Sequence, residues 1–347
     1  MTWNNCIRRS SPHLSLLFIL FFVLAGFACA CSTSPSPAST PTPAPTQGIT
    51  GKFTEFPLPQ SPLSPGFITK GSDGNLWFTE AANNQTGKIG RITPLGILTE
   101  FPLPKANAIP ADIATGSDGN LWFTEGNNIG QITPAGKITE FTLPVNSYAN
   151  RITAGPDGNL WFTESNKIGR ITPVGKITEF SVPSTEPLDI TAGPDGNLWF
   201  TGTSTIGRIT LAGNISEFPI PAFQGSLLSI TAGPDGNLWY TETGSNNGPS
   251  KIGRITLAGK ISEFILPHYI LSDITTGSDG ALWFTEGNFN STGKIGRITT
   301  TGEMSELTLP TSDNSPTGIT SGPDGKVWFT ESTFGPVSQN GKIGQLA

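Results

Sequence analysis

Gly193-Pro194-Asp195-Gly196-Asn197-Leu198-Trp199-Phe200-Thr201 decides the architecture, because near copies of it recur along the chain. The copied aspartates are Asp73, Asp118, Asp157, Asp195, Asp235, Asp279 and Asp324, each followed four residues later by a tryptophan, from Trp77 to Trp328. Seven copies at spacings of 38 to 45 residues indicate a propeller or a solenoid. Asp-Gly between two apolar runs signals a hairpin: the glycine accepts positive φ, and the aspartate accepts backbone N–H bonds within its own turn. Leu-Trp-Phe-Thr supplies the aromatic and β-branched residues that suit a pleated, buried surface. The seven aspartates therefore read as turn formers rather than ligands, and the tryptophans as filling between blades.

Working outward, each unit reads as four short strands. The first carries an Ile-Thr core such as Ile190-Thr191, and the second is Leu-Trp-Phe-Thr. The third is of the type Lys167-Ile168-Gly169-Arg170-Ile171, and the fourth of the type Ile177-Thr178-Glu179-Phe180 with a proline stop soon after. No window shows helical periodicity, so the class is all-β. The last repeat stops after its third strand, Lys342-Ile343-Gly344-Gln345-Leu346, while the first repeat is preceded by an orphan fourth strand, Phe53-Thr54-Glu55-Phe56. Joining the two completes a seventh blade. The chain is thus expected to form a closed seven-bladed β-propeller over residues 52–347, without the exposed edges a solenoid has to cap.

Arg8 and Arg9 precede an apolar run at residues 14–28 that is short for a membrane span and is followed by small residues. That is the layout of a secretory signal, here residues 1–31. The run ends Ala28-Cys29-Ala30-Cys31, which makes Cys31, or else Cys29, the candidate lipidated residue of a bacterial lipoprotein; ordinary cleavage and secretion is the alternative. Residues 32–51, rich in Ser, Thr and Pro, cannot bury a core and read as an extended tether. The expected location is exported, either lipid-anchored at the cell surface or secreted.

Arg8 and Arg9 are two of the 20 basic residues, so the rest of the chain carries 18 basic against 26 acidic residues, a net charge of −8. Such an acidic domain is a poor nucleic-acid binder. Cys6, Cys29, Cys31 and His13 all fall in the leader, leaving the domain with His268 alone. A disulfide framework, a thiol nucleophile and a Cys/His zinc site are excluded there.

The repeat Gly-Pro-Asp-Gly-Asn-Leu-Trp-Phe-Thr, followed by Lys-Ile-Gly-Arg-Ile-Thr and Ile-Thr-Glu-Phe, resembles that of the virginiamycin B lyases, also called streptogramin B lyases, over essentially all of residues 52–347. The Gly-His and Trp-Asp signatures of the WD type are absent. The resemblance implies a magnesium-assisted elimination that opens the macrolactone ester of a streptogramin B antibiotic by C–O cleavage without water. It also implies a histidine general base near the start of a first strand, fourteen residues before the glutamate that follows Trp-Phe-Thr, and a second histidine in the neighbouring blade. The corresponding positions here are Gly66, Ala111, Asn150, Leu188, Leu228, Ser272 and Thr317, and none is histidine. His268 lies four residues before Ser272 in a connecting loop. The resemblance therefore argues for the fold and against the family's best-known reaction.

Both uniform turns of each blade fall on one rim, which leaves the connections of variable length on the other, where function is expected. Blades two to four have short second-to-third connections, whereas residues 243–250, 287–293, 332–341 and 81–87 are longer and adjacent around the ring. They predict a raised wall rich in Asn, Gly and Ser, suited to a small polar molecule, a glycan or a protein. Tyr148, Arg151, His268 and Tyr269 are the candidate ligand residues on that rim.

The glutamates after Trp-Phe-Thr are Glu80, Glu125, Glu164, Glu242, Glu286 and Glu331, with Gly202 in blade four. Carboxylates crowded near one channel mouth repel one another unless a cation or hydrogen-bond donors intervene. Together with Asp112, Asp189 and Asp273 they form a candidate oxygen-ligand set for Mg²⁺ or Ca²⁺; the competing reading is that each glutamate caps its local loop. A second set of glutamates, on the fourth strands, is expected to pair with third-strand arginines such as Arg170. Three functions follow. The first is a monomeric, tethered propeller that binds a polar ligand or partner without imidazole chemistry. The second is a metal-dependent lyase or lactone-processing enzyme with Glu242, Glu286 or Glu331 as base. The third is a structural spacer.

Overall fold

The computed structural model describes residues 51–59, 63–81, 85–145, 147–221, 223, 225–245, 248–266, 270–287, 292–311, 314–333 and 341–347. The signal and anchor with Cys29 and Cys31, nearly all of the tether, and His268 and Tyr269 lie outside them. So does half of the expected wall, at residues 82–84, 246–247, 288–291 and 334–340.

Seven four-stranded antiparallel sheets follow one another as the blades of a β-propeller. Blade one is Ser64–Lys70, Leu76–Ala81, Lys88–Ile92 and Leu98–Pro102. Blade seven takes Asn314–Ser321, Val327–Thr333 and Lys342–Leu346 from one end of the sequence and Phe53–Pro57 from the other. Phe53 is opposite Leu346 and Pro57 opposite Lys342, so the expected closure is the one the structure adopts. First strands of neighbouring blades touch all the way round, including blade seven against blade one.

Period-2 alternation gives every blade two unlike faces. In blade three the register sets Trp161 opposite Arg170, and Phe162 opposite Gly169. One face therefore carries Trp161, Arg170 and Phe180, the other Phe162, Lys167, Glu164 and Glu179. The tryptophan face of one blade packs on the phenylalanine face of the next: Trp122, Ile129 and Leu143 of blade two meet Ile152, Leu160 and Phe162 of blade three. The core is thus a set of inter-blade layers. A Cβ on Gly169 would overlap the Phe162 ring, which is why glycine stands at the centre of the third strand.

The Asp-Gly turn does more than reverse the chain. Gly196 has φ 74°, and Asp195 Oδ1 accepts both the Asn197 amide at 3.2 Å and the Trp199 indole N–H at 3.0 Å. The turn former thus also satisfies the one polar atom of a buried tryptophan. Partial burial alone would raise the Asp195 pKa, but the hydrogen bonds from Asn197 and Trp199 outweigh it and hold the carboxyl below its ordinary value.

The expected glutamate–arginine pairing is corrected by the register. Gly169 faces Glu179 and Arg170 faces Thr178, so arginine and glutamate lie on opposite faces. Glu179 instead meets Lys167 at 2.8 Å, and Glu100, Glu263 and Glu55 meet Lys88, Lys251 and Lys342 at 2.5, 3.2 and 2.6 Å. The Arg170 guanidinium lies 5.3 Å from the Trp161 ring centroid and donates to the Leu211 carbonyl of the next blade at 3.1 Å.

Candidate functional site

The innermost strands meet the channel at seven equivalent positions, Phe67, Asp112, Arg151, Asp189, Ser229, Asp273 and Gly318. Each is marked by an amide that donates to the threonine of Trp-Phe-Thr (Trp-Tyr-Thr in blade five) in its own blade. That threonine has a second task. Thr124 Oγ1 accepts from Asp112 N at 3.0 Å and donates to the Asn150 carbonyl of blade three at 2.8 Å. The same donation reaches Ala111, Leu188, Leu228, Thr317 and Gly66. These are six of the seven positions at which the family resemblance implies histidine, and their backbone carbonyls hold neighbouring blades together.

Three of the seven channel residues are aspartates, and all three are bound to backbone. Asp112 accepts the amides of Ile113 at 2.8 Å and of Ile152, in blade three, at 2.9 Å. Asp189 does the same with Ile190 and Ile230, both at 2.8 Å. Asp273 accepts Ile274 and Ile319 at 2.9 Å and the Ser229 hydroxyl at 2.8 Å. Burial pushes Asp112 up to about 7, with Arg151 and the two amides opposing and Asp189 adding to the rise. Asp273 is raised to about 6, again chiefly by burial. Arg151 is the cation they share, and its guanidinium lies 3.4 Å from the Phe67 ring centroid, across blade two. A stacked, partly buried arginine is held at the channel against an aromatic face. Tyr148 is 66% exposed and stands beside Gly126, in the second-to-third connection of blade two.

The six glutamates after Trp-Phe-Thr (Trp-Tyr-Thr in blade five) are buried, between 0% and 3% exposed. Each belongs to its own blade's set. Glu80 is opposite Lys88, which also meets Glu100; Glu164, Glu286 and Glu331 are likewise opposite Lys167, Lys294 and Lys342. Glu242 meets Lys251 at 3.2 Å, and Lys251 meets Glu263 at the same distance. The ammonium meets both carboxylates in blade five, and in blades one, three, six and seven it stands opposite the buried glutamate and pairs with the fourth-strand one; Asn128 takes that place in blade two and Thr205 in blade four. Burial raises Glu80 and Glu125 to about 7 and Glu286 to about 8, with the fourth-strand glutamates Glu100, Glu140 and Glu306 adding repulsion. Both carboxylate oxygens of Glu80, and both of Glu286, are buried without a hydrogen bond among the described residues. No three acidic side chains gather as a cation-holding group among the described residues.

The sequence offers Asp112, Asp189 and Asp273 as oxygen ligands and Arg151 as a ligand residue on the rim; in the structure Arg151 acts electrostatically on all three aspartates. Sequence reasoning missed Phe67, for which a single aromatic on a first strand gave no signal. It also missed the bridging threonine, whose recurrence in all seven repeats was the available clue.

The family model described as "Virginiamycin B lyase family" matches residues 46–268 and 184–347. A solved structure described as streptogramin B lyase is 38% identical, with a TM-score of 0.75 over 86% of this chain and 97% of that one. Virginiamycin B lyase from Staphylococcus aureus is 39% identical, with a TM-score of 0.76 over 86% of this chain and 99% of that one. A catalytically inactive histidine-to-alanine variant of the Staphylococcus aureus enzyme, solved with quinupristin, has the same identity, TM-score and coverage. No curated protein sequence matches the chain.

Proposed function

Because the chain belongs to the virginiamycin B lyase family, we propose that it binds a polar or cyclic ligand at the loop-bearing mouth of its channel and does so without imidazole catalysis. One observation carries this reading. The channel offers a guanidinium stacked on a phenyl ring, Arg151 on Phe67, beside three anchored aspartates, and the positions expected to hold histidine carry Gly66, Ala111, Asn150, Leu188, Leu228, Ser272 and Thr317. A rigid cation on an aromatic face, with exposed Tyr148 on the same rim, suits recognition of carbonyl-rich polar ligands. The signal at residues 1–31 and the tether at 32–51 support an exported, anchored monomer.

The second reading is a lyase that uses Mg²⁺ with Glu242, Glu286 or Glu331 as base, and it is favoured by the burial that raises Glu286 to about 8. Full burial of these carboxylates stands against their reaching a substrate. One experiment separates the two: titrate the full chain calorimetrically with quinupristin, with Mg²⁺ and after chelation, and weigh the recovered ligand by mass spectrometry. Saturable binding with intact ligand is expected. A ring-opened product would replace the binding reading with the lyase, and no binding in either condition would remove both.

A further inference from the structure

On the rim of the Asp-Gly turns, opposite the loop-bearing mouth, the aromatic stacking of the repeat breaks down between blades six and seven. In six blades the repeat tryptophan is stacked by a phenylalanine of the fourth strand at 5.4 to 5.7 Å between centroids. In blade six that phenylalanine is Leu307, and Trp283 is only partly buried whereas the other six repeat tryptophans are fully so. The space left is a cavity of about 450 Å³ bordered by Trp283, Leu307, Arg297, Lys326 and Gly51.

Two further departures converge there. Five other blades place an asparagine two residues after the turn aspartate, and its Nδ2 donates to that carboxylate. Blade six has Ala281, so Asp279 Oδ2 is taken by Arg297 Nε at 2.7 Å; blade seven has Lys326, which adds a second cation to the cavity. In three other blades the arginine's terminal nitrogen is engaged: Arg91, Arg170 and Arg254 donate to Pro134, Leu211 and Thr300 carbonyls in the third-to-fourth turn of the next blade, while Arg208 lies 3.8 Å from Asp195. Blade seven has no such turn, because its third and fourth strands, Lys342–Leu346 and Phe53–Pro57, come from far apart in the sequence. Among the described residues, Arg297 is hydrogen-bonded to Asp279 alone, its guanidinium lies 5.7 Å from the Trp283 ring centroid, and its terminal nitrogens carry no hydrogen bond.

We propose that this cavity is a second binding site, separate from the channel mouth, for a planar aromatic ring bearing a carboxylate. The ring takes the place of the missing phenyl on Trp283, and the carboxylate meets the planar fork of Arg297 and the Lys326 ammonium. A flat π-system is the complement of an uncovered indole face. An anion is the complement of the terminal N–H groups of Arg297, whose edge takes a carboxylate through two parallel bonds; Lys326, 3.8 Å from its own Asp324 and donating to Gln345 at 3.1 Å, adds charge at the cavity's border. The cavity volume lies within the range of small-molecule sites, which is about 300 to 1,000 Å³.

The test uses the full chain and the probe 2-naphthoate, with uncharged 2-naphthalenemethanol beside it, in isothermal titration. Saturable 1:1 binding of 2-naphthoate is expected. Leu307→Phe restores the residue found in the other blades and fills the cavity, and should weaken both probes by roughly tenfold or more, while circular dichroism and melting show an intact propeller. Arg297→Gln should weaken the acid by roughly tenfold and leave the alcohol nearly unchanged. Absence of saturable binding, a Leu307→Phe protein that binds as wild type, or an Arg297→Gln protein that loses acid and alcohol equally would each overturn the assignment. The last comparison decides the matter even if Leu307→Phe does not fold.

Discussion

The Asp112 carboxylate accepts the backbone amide of Ile152, in the neighbouring blade, at 2.9 Å, while its other oxygen holds the Ile113 amide at 2.8 Å. A negative side chain in the channel wall is thus inter-blade stitching as well as a source of field. Asp112→Ala leaves two amides short of a partner and should cost about 1 to 3 kcal/mol, read as a lower urea midpoint, with Asp112→Asn losing less because one acceptor survives. An Asp112→Ala midpoint equal to wild type would show that water replaces the carboxylate freely.

The buried acids set the pH dependence. Burial, helped by like charges, raises Glu80 and Glu125 from 4.5 to about 7, Glu286 from 4.5 to about 8 and Asp112 from 3.8 to about 7. Between the ordinary and the raised value the folded protein keeps a proton that the unfolded chain has lost. Each such group therefore contributes stability that is complete below the ordinary value and disappears as pH rises through the folded one, at about 1.4 kcal/mol per pH unit. The turn aspartates Asp118, Asp157 and Asp195 are lowered, so their contribution is present above 3.8 and lost as pH falls further. Melting temperature should peak near pH 5 and decline toward pH 8, and Glu286→Gln should flatten the decline. A melting temperature that climbs steadily from pH 5 to 8 would contradict this account.

Packing at the third strand gives a sharper local test. Because a Cβ on Gly169 would overlap the Phe162 ring, Gly169→Ala should destabilise by about 1 to 3 kcal/mol through overpacking. Adding Phe162→Leu to Gly169→Ala should recover part of that loss, since the smaller side chain leaves room. Additive losses in the double variant, measured in a denaturant cycle, would place the strain elsewhere.

The fold was legible because the repeat writes the same local physics seven times, in the Asp-Gly turn, the Trp-Phe-Thr strand and the glycine of the third strand, and because Phe53–Pro57 visibly lacked its partners. The pairing of charges was misread for one reason. Arg170 and Lys167 are three residues apart, so only one of them shares a face with Glu179, and the alternation had to be counted along the strand to choose. The channel residues Asp112, Asp189, Asp273 and Arg151 could be placed from their position before the Ile-Thr core. That each aspartate spans to the isoleucine of the next blade could not, because inter-blade geometry is not written in any single repeat. The cavity at Trp283 was hidden in plain letters: Leu307 and Ala281 break the pattern, but only the structure brings Leu307 beside blade seven, whose third and fourth strands have no turn between them.

Closure of blade seven provides the last test. The strand Phe53–Pro57 pairs with Lys342–Leu346 through its whole length, Glu55 meets Lys342 at 2.6 Å, and Phe56 stacks on Trp328 at 5.7 Å. Removing residues 1–59 would expose the Lys342–Leu346 edge and uncover Trp328, so the shortened chain should lose its cooperative melt or aggregate through the open edge. Removing residues 1–50 keeps every one of these contacts and should leave the melting temperature within a few degrees of the full chain. Phe56→Ala, which takes away the stack alone, should fall between the two, with a loss of about 2 to 4 kcal/mol. A cooperative melt that survives removal of residues 1–59 would mean that the other six blades hold the ring without this strand.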